Sequence, residues 1–86
     1  ALGDPAKAEP LLREAVAVRR EALGDAHFDT LYAEFSLLRC LLQRGSVDDA
    51  RTLGTALLER LRQHLPADHP MTASTGQMLA DLPEPR

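Results

Sequence analysis

An internal repeat with an offset of 42 residues is the feature that most restricts the fold of this chain. When the sequence is shifted by 42 positions, identical residues coincide along two segments and along the loop between them. The coinciding pairs include Gly3 and Gly45, Ala8 and Ala50, Leu11 and Leu53, Arg20 and Arg62, Leu23 and Leu65, His27 and His69, Thr30 and Thr72, and Leu37 and Leu79. Identity at one fixed offset over this length indicates a duplicated helix–loop–helix unit. Because the chain begins and ends within a unit, we expect a fragment of a longer repeat array.

Glycine, proline and polar residues divide the chain into four segments that are each bounded like a helix. They predict helices at about residues 5–23, 29–44, 47–65 and 71–82, a tail at 83–86, and one domain over 1–86. Asp29 and Thr30 are candidate N-caps of the second helix, and Ser46 and Asp48 of the third. The chain contains 16 Leu and 13 Ala but three Val and no Ile, whereas a sheet favours β-branched residues. We therefore expect an all-α fold of four antiparallel helices.

Apolar residues recur at helical spacing along these segments and predict which faces are buried. The stripe of the first helix is Ala8, Leu11, Ala15, Val18 and Ala22, with Leu12 beside it. The expected shared core is Leu11, Ala15, Leu37, Leu41, Ala50, Leu53 and Leu57. Pro10 leaves two possibilities open, since the first helix begins either at Pro10 or at Pro5 with a bend at Pro10.

The first copy of the repeat resembles the 42-residue tetratricopeptide repeat of the kinesin light chain type. The resemblance rests on residues 8–20, on Leu23-Gly24, and on His27, Asp29 and Thr30. It places Pro10 inside a helix that starts near Pro5. It implies a right-handed α-solenoid whose concave face, lined by the first helix of each unit, binds proteins or peptides.

Two departures from that family's pattern affect the concave face and the core. Phe35-Ser36 stand where the family carries a paired Asn-Asn that grips ligand backbone, and Gln77-Met78 stand there in the next unit. Glu34 replaces an expected core Leu, so we expect it to pair with an arginine or to turn to the edge, because an unpaired buried carboxylate is costly.

The charge and the cysteine content narrow the possible functions. The formal net charge is −3 at pH 7, which argues against a nucleic-acid surface or a polybasic membrane patch. Cys40 is the single cysteine, so no internal disulfide requires an oxidising compartment, and we expect a cytoplasmic protein.

His27, His69 and Cys40 are the residues that could carry chemistry, and each also has a structural interpretation. A metal site needs three or four converging ligands, whereas a histidine repeated at one loop position fits a side chain that bonds nearby backbone. Cys40 lies among leucines and fits a packing thiol better than an activated nucleophile. We therefore predict no catalytic residue, no metal and no cofactor.

The aromatic residues form the clearest candidate surface. Phe28, Tyr32 and Phe35 are spaced i, i+4 and i+7, which places them on one helix face. By the family's geometry, the residues that look into the groove are Tyr32, Phe35, Ser36, Arg39 and Gln43. The alternative is that Phe28 and Tyr32 pack between helices and Phe35 covers a thin core.

The predicted function is that of a non-catalytic scaffold that binds a protein or peptide. The alternative is a structural spacer or self-association segment of a longer solenoid, because repeats of this kind need neighbours to cover their end faces.

Overall fold

A computed structural model describes residues 3–84, which form four α-helices and contain no β-strand. The helices are α1 (Pro5–Leu23), α2 (Phe28–Gln43), α3 (Val47–His64) and α4 (Pro70–Ala80). Each begins and ends within two residues of the position expected from the sequence. Pro83 and Glu84 follow the last helix, and the rest of the expected tail lies outside the described residues.

A side-chain cap precedes α1, α2 and α4, although the capping residue is not always the expected one. Asp4 caps α1, its carboxylate accepting the N–H of Ala6 at 2.9 Å. Pro10 lies inside α1, as the resemblance implied, and has no N–H to donate to the preceding turn. The expected caps of α2 were wrong, because His27 occupies that position. Ser46 is the residue before α3 but makes no side-chain cap bond.

Consecutive helices pack against one another, so the chain is a stack of helical repeats with the core between neighbours. The fully buried leucines, each at most 1% exposed, are Leu31, Leu38, Leu41, Leu57 and Leu61. Ala50 is fully buried where α3 meets its neighbours, and Gly54 approaches closely enough that a Cβ there would lie 3.4 Å from Leu38 Cδ1 and 2.7 Å from Leu79 Cδ2.

The predicted core was wrong in α1. Leu11 is 68% exposed and Val18 is 57% exposed, whereas Val16 is buried and Leu12 packs against the core. The two apolar faces of α1 are rotated by about 100° from each other, since successive residues turn by that angle. Helix α2 covers the face that carries Leu12 and Val16.

Glu34 is fully buried at the place where three helices meet. Arg20 from α1 donates to one carboxylate oxygen and Arg60 from α3 donates to the other. The predicted pairing with an arginine is therefore confirmed, and the carboxylate exchanges its hydration for two charge-assisted hydrogen bonds. The hydrogen bond from Arg20 to Glu34 also raises the pKa of Arg20 above its ordinary value.

Candidate functional site

The outward face of α2 carries all five residues that the sequence predicted to contact a partner. Phe35, Ser36 and Arg39 lie three, four and seven residues after Tyr32, and Gln43 lies four residues after Arg39, so helical geometry brings them onto one side. Arg39 and Gln43 are exposed, Tyr32 is 50% exposed, and Ser36 is half-buried with its hydroxyl donating to the carbonyl of Tyr32 at 3.1 Å. Phe28, the sixth residue of this stripe, is 46% exposed.

An aromatic cluster forms the amino-terminal end of this face. The ring centroids of Phe28 and Tyr32 are 6.4 Å apart with the planes tilted by 32°. His69 meets Phe28 edge-on at 6.2 Å, so the cluster also includes the loop before α4. Since Phe28 and Tyr32 are both exposed residues, the cluster presents apolar area at the surface and does not fill the space between helices.

Phe35 is placed differently from its two aromatic neighbours. It is half-buried and packs against the hydrophobic core, as the alternative interpretation of this residue described. It retains some exposed surface, but its replacement would disturb the core as well as the outward face. Phe28 and Tyr32 are instead mainly surface residues, because each is more exposed than Phe35.

A pocket of about 170 Å³ lies at the other end of the face, between α2 and the start of α1. Ser36, Arg39 and Gln43 line its α2 side, so the fold brings three of the five predicted residues together. Tyr32 and Phe35 do not line it. The opposite wall comes from the first two turns of α1 and from the residue that caps it, Asp4.

Six of the nine residues that line this pocket were not predicted to belong to the site, and Asp4 and Cys40 are the two of these whose side chains are not hydrocarbon or hydrogen. Asp4 is 35 positions before Arg39 in sequence, and no local pattern connects the two. Cys40 is buried, which confirms the packing interpretation, and its thiol donates to the carbonyl of Pro5 at 3.2 Å. The signal that could have placed Asp4 here is the N-cap position of α1, once α1 is known to pack against α2.

The arginine in this pocket, Arg39, lacks the charged partner that half of the arginines in the 3–84 range have. Arg13, Arg20, Arg44 and Arg60 each form an ion pair, whereas Arg39 forms none with another residue of the 3–84 range. Nearby, Glu9 accepts from Arg13 at 2.9 Å and from Arg44 at 2.7 Å. Those two guanidinium groups lower the pKa of Glu9, with the bond from Arg13 contributing most. Arg39 therefore keeps its charge and its donors available to a ligand.

The histidines have backbone roles in the described structure. Nδ1 of His27 accepts the N–H of Asp29 at 3.0 Å, and Nδ1 of His69 accepts the N–H of Met71 at 3.1 Å. The predicted backbone-bonding role of both residues is confirmed. Over residues 3–84, no three or more His, Cys, Asp or Glu side chains are grouped as metal ligands would be.

Together, the four helices and their packing in consecutive order define a helical repeat protein. A family model described as tetratricopeptide repeat matches residues 1–63, and the chain belongs to this family. Such repeats are generally non-catalytic scaffolds that mediate contacts between proteins. Searches of curated proteins and of solved structures found no match to this chain. Within the described range, none of the helices has the length and apolar character that a bilayer span requires.

Proposed function

We propose that this chain is a non-catalytic scaffold that binds a protein or peptide along the outward face of α2, through Tyr32, Phe35, Ser36, Arg39 and Gln43. The observation that carries this proposal is an aromatic pair and an arginine without an ion-pair partner on the same solvent-facing stripe of the described chain. Aromatic residues and arginine are the types enriched where binding energy concentrates in interfaces. The affiliation with the kinesin light chain type of repeat and a cytoplasmic location are part of this proposal, and the residues of the first copy support the former.

The side chains on this face indicate how long a partner segment is and which groups it carries. Tyr32 and Arg39 are seven residues apart, which is about 10 Å along the helix axis. An extended segment covers that distance in about three residues. We therefore expect an apolar side chain against Tyr32 and Phe28, and an acidic or carbonyl group that accepts from Arg39.

The absence of the Asn-Asn pair changes which contacts supply the binding free energy. Phe35-Ser36 occupy those positions, and the Ser36 hydroxyl already donates to the carbonyl of Tyr32. Less hydrogen bonding is thus directed to a ligand's backbone. Side-chain contacts must supply a larger share of the binding free energy.

The experiment is a selection of random peptides on the wild-type chain, followed by affinity measurements on variants. Tyr32→Ala and Arg39→Ala should each cost at least about 2 kcal/mol of binding, or roughly thirtyfold in Kd. Arg62→Ala is the matched control, since Arg62 is exposed on α3 and away from this face. Phe35→Ala should also weaken binding, but circular dichroism must first show that it folds.

Selected peptides that bind Tyr32→Ala and Arg39→Ala as tightly as the wild-type chain would contradict the proposal. So would a selection that yields no binding peptide at all. Both variants replace exposed side chains, so a loss of affinity with an unchanged melting temperature reports on the surface itself.

A further inference from the structure

Histidine caps two of the four helices in the described range, and these two helices are equivalent in the repeat. His27 caps α2 and His69 caps α4, whereas Asp4 caps α1 and α3 has no side-chain cap bond. The two histidines are 42 residues apart, and each lies in a loop with a described helix on both sides. A change in the state of this cap therefore acts on both repeat units at once.

Both cap bonds require an imidazole ring without a proton on Nδ1. The backbone N–H groups of Asp29 and Met71 can only donate, and they meet Nδ1 of His27 at 3.0 Å and Nδ1 of His69 at 3.1 Å. A neutral imidazole offers one nitrogen as an acceptor, whereas both nitrogens of the imidazolium are donors. Protonation of either ring therefore excludes the hydrogen bond that caps its helix.

The helix dipole acts in the same direction as the loss of the hydrogen bond. The amino-terminal end of a helix carries a partial positive charge, so a cation at this end is unfavourable. Histidine is the side chain that becomes cationic between about pH 5 and pH 8. Protonated His27 or His69 would thus lose its bond and also repel the N–H groups of the first turn. The carboxylate of Asp4, the cap of α1, instead has the charge that this position favours.

The charged groups around His27 come from the end of α1, from the loop and from α2 itself. Arg20 and Glu21 are at the end of α1, Asp25 is in the loop and Asp29 is in the first turn of α2. Asp25 is paired with Arg20 at 2.7 Å, and none of the carboxylates in the 3–84 range forms an ion pair with His27. No carboxylate of this range is thus positioned to hold a proton on the ring.

The groups around His69 are a loop carboxylate, basic residues of α3 and an aromatic ring. Asp68 precedes His69 in the loop, and α3, which packs against both α2 and α4, carries Arg62 and His64 in its last turn. Phe28 of α2 meets His69 edge-on, with the ring centroids 6.2 Å apart. His69 is half-buried and His27 is exposed, and water replaces a lost hydrogen bond less easily at the more buried site. We therefore expect the larger effect at His69.

We propose that His27 and His69 form a pH-sensitive device that releases the starts of α2 and α4 when the two rings are protonated. The folded chain holds both rings without a proton on Nδ1, and the unfolded chain does not. The unfolded state therefore binds more protons at these sites, so stability rises with pH and is lost as the pH falls through the range where histidine titrates. Because α2 begins at Phe28, which also contacts His69, the same protonation loosens the aromatic cluster. The device belongs to the fold and does not rest on the proposed partner.

The test replaces the histidine caps by asparagine, which is a strong N-cap and does not titrate. Between about pH 7.5 and about pH 5, the melting temperature of the wild-type chain should fall at least about 4 °C more than that of His27→Asn/His69→Asn. His69→Asn alone should remove more of this difference than His27→Asn alone. Carboxyl groups titrate mainly below this range, so ion pairs such as that of Glu9 contribute little to it.

His64→Asn is the matched control, since His64 is the third histidine of the chain and is exposed in the last turn of α3. A cation is favourable at the carboxyl-terminal end of a helix. Removal of His64 should therefore leave the loss of stability in acid unchanged or make it larger.

The backbone amides that the rings accept from give a second measurement, on the wild-type chain alone. The amide proton signals of Asp29 and Met71 in nuclear magnetic resonance spectra should move upfield over the same pH range, as their hydrogen bonds are lost. The amide of Ala6, which donates to the carboxylate of Asp4, is the internal control and should stay constant.

Three results would overturn this proposal. They are equal falls in melting temperature for the wild-type chain and the double asparagine variant, loss of the pH dependence in His64→Asn, and signals of Asp29 and Met71 as constant as that of Ala6. If the double variant does not fold, the amide signals of the wild-type chain decide. All these measurements are made without a ligand, so their outcome is independent of the peptide-binding proposal.

Discussion

At the scale of single residues, His27 and His69 show how one side chain fixes the same point in both repeats. Each precedes a helix in nearly the same extended conformation, with φ and ψ of −67° and 139° for His27 and −60° and 136° for His69. Serine, threonine, aspartate and asparagine are the usual N-caps, but an unprotonated imidazole nitrogen can accept the same backbone N–H. The repeated histidine is therefore explained by the geometry of a helix start.

The buried leucines carry the first stability prediction. Leu57 is fully buried, so Leu57→Ala should lower the free energy of unfolding by about 2–5 kcal/mol through lost burial and a residual cavity. Leu11→Ala removes the same atoms from a side chain that is 68% exposed and should change stability by less than about 1 kcal/mol. Urea unfolding followed by circular dichroism in dilute solution measures both. Equal losses in the two variants would mean that the assigned core is wrong.

At the scale of helices, the sequence determined where each element lies but not which face of α1 is buried. Glycine, proline and polar residues mark helix ends locally, so the ends could be predicted within two residues. Helix α1 has apolar residues on two faces, at Leu11 and Val18 and at Leu12 and Val16. Periodicity identifies apolar faces, whereas burial depends on a neighbour, and in the described structure only one of these faces has a neighbouring helix.

The residues of the candidate site also fall into two groups, those that helical spacing predicts and those whose position depends on how the helices pack. Ser36, Arg39 and Gln43 could be grouped from helical spacing alone, because all three belong to one element. Asp4 and Cys40 could not, because their place in the pocket depends on how α1 packs against α2. The half-burial of Phe35 likewise follows from the core that forms beside it.

The contact between α1 and the end of α2 leads to a pH prediction. Glu9 of α1 accepts from Arg13 and from Arg44, the C-cap residue that follows α2, and both bonds lower the pKa of Glu9. A carboxyl with a lowered folded-state pKa stabilises the fold above its unfolded pKa, and this contribution is lost as the pH falls through the folded value. Glu9→Gln should therefore lower the melting temperature near neutral pH and approach the wild type in acid.

Thermal unfolding from about pH 7 to about pH 2.5 measures this difference. Glu59→Gln is the control for the change in net charge, because Glu59 is exposed on α3 and forms no ion pair with another residue of the 3–84 range. A destabilisation by Glu9→Gln that is constant over the whole range would contradict the ion-pair explanation.

At the scale of the whole molecule, apolar side chains are buried between helices that follow one another in the chain, as in other repeat proteins. The chain measures 28 × 27 × 25 Å, and its core lies at the junctions between consecutive helices. Glu34 lies at the point where α1, α2 and α3 come together, so its two ion pairs connect three of the four helices. The free energy of unfolding should therefore change differently when Glu34 is replaced and when Arg20 and Arg60 are replaced.

Glu34 is fully buried, whereas the side chains of Arg20 and Arg60 are 48% and 24% exposed. Glu34→Leu leaves two arginines that reach water and restores an apolar side chain, so stability should change by less than about 1 kcal/mol or rise. The double variant Arg20→Ala/Arg60→Ala leaves a carboxylate buried without a partner and should cost about 3 kcal/mol or more. Urea unfolding at neutral pH compares the two, with Arg62→Ala as an exposed control. Destabilisation by Glu34→Leu as large as that of the double variant would show that the ion pairs stabilise the stack beyond what an apolar contact supplies there.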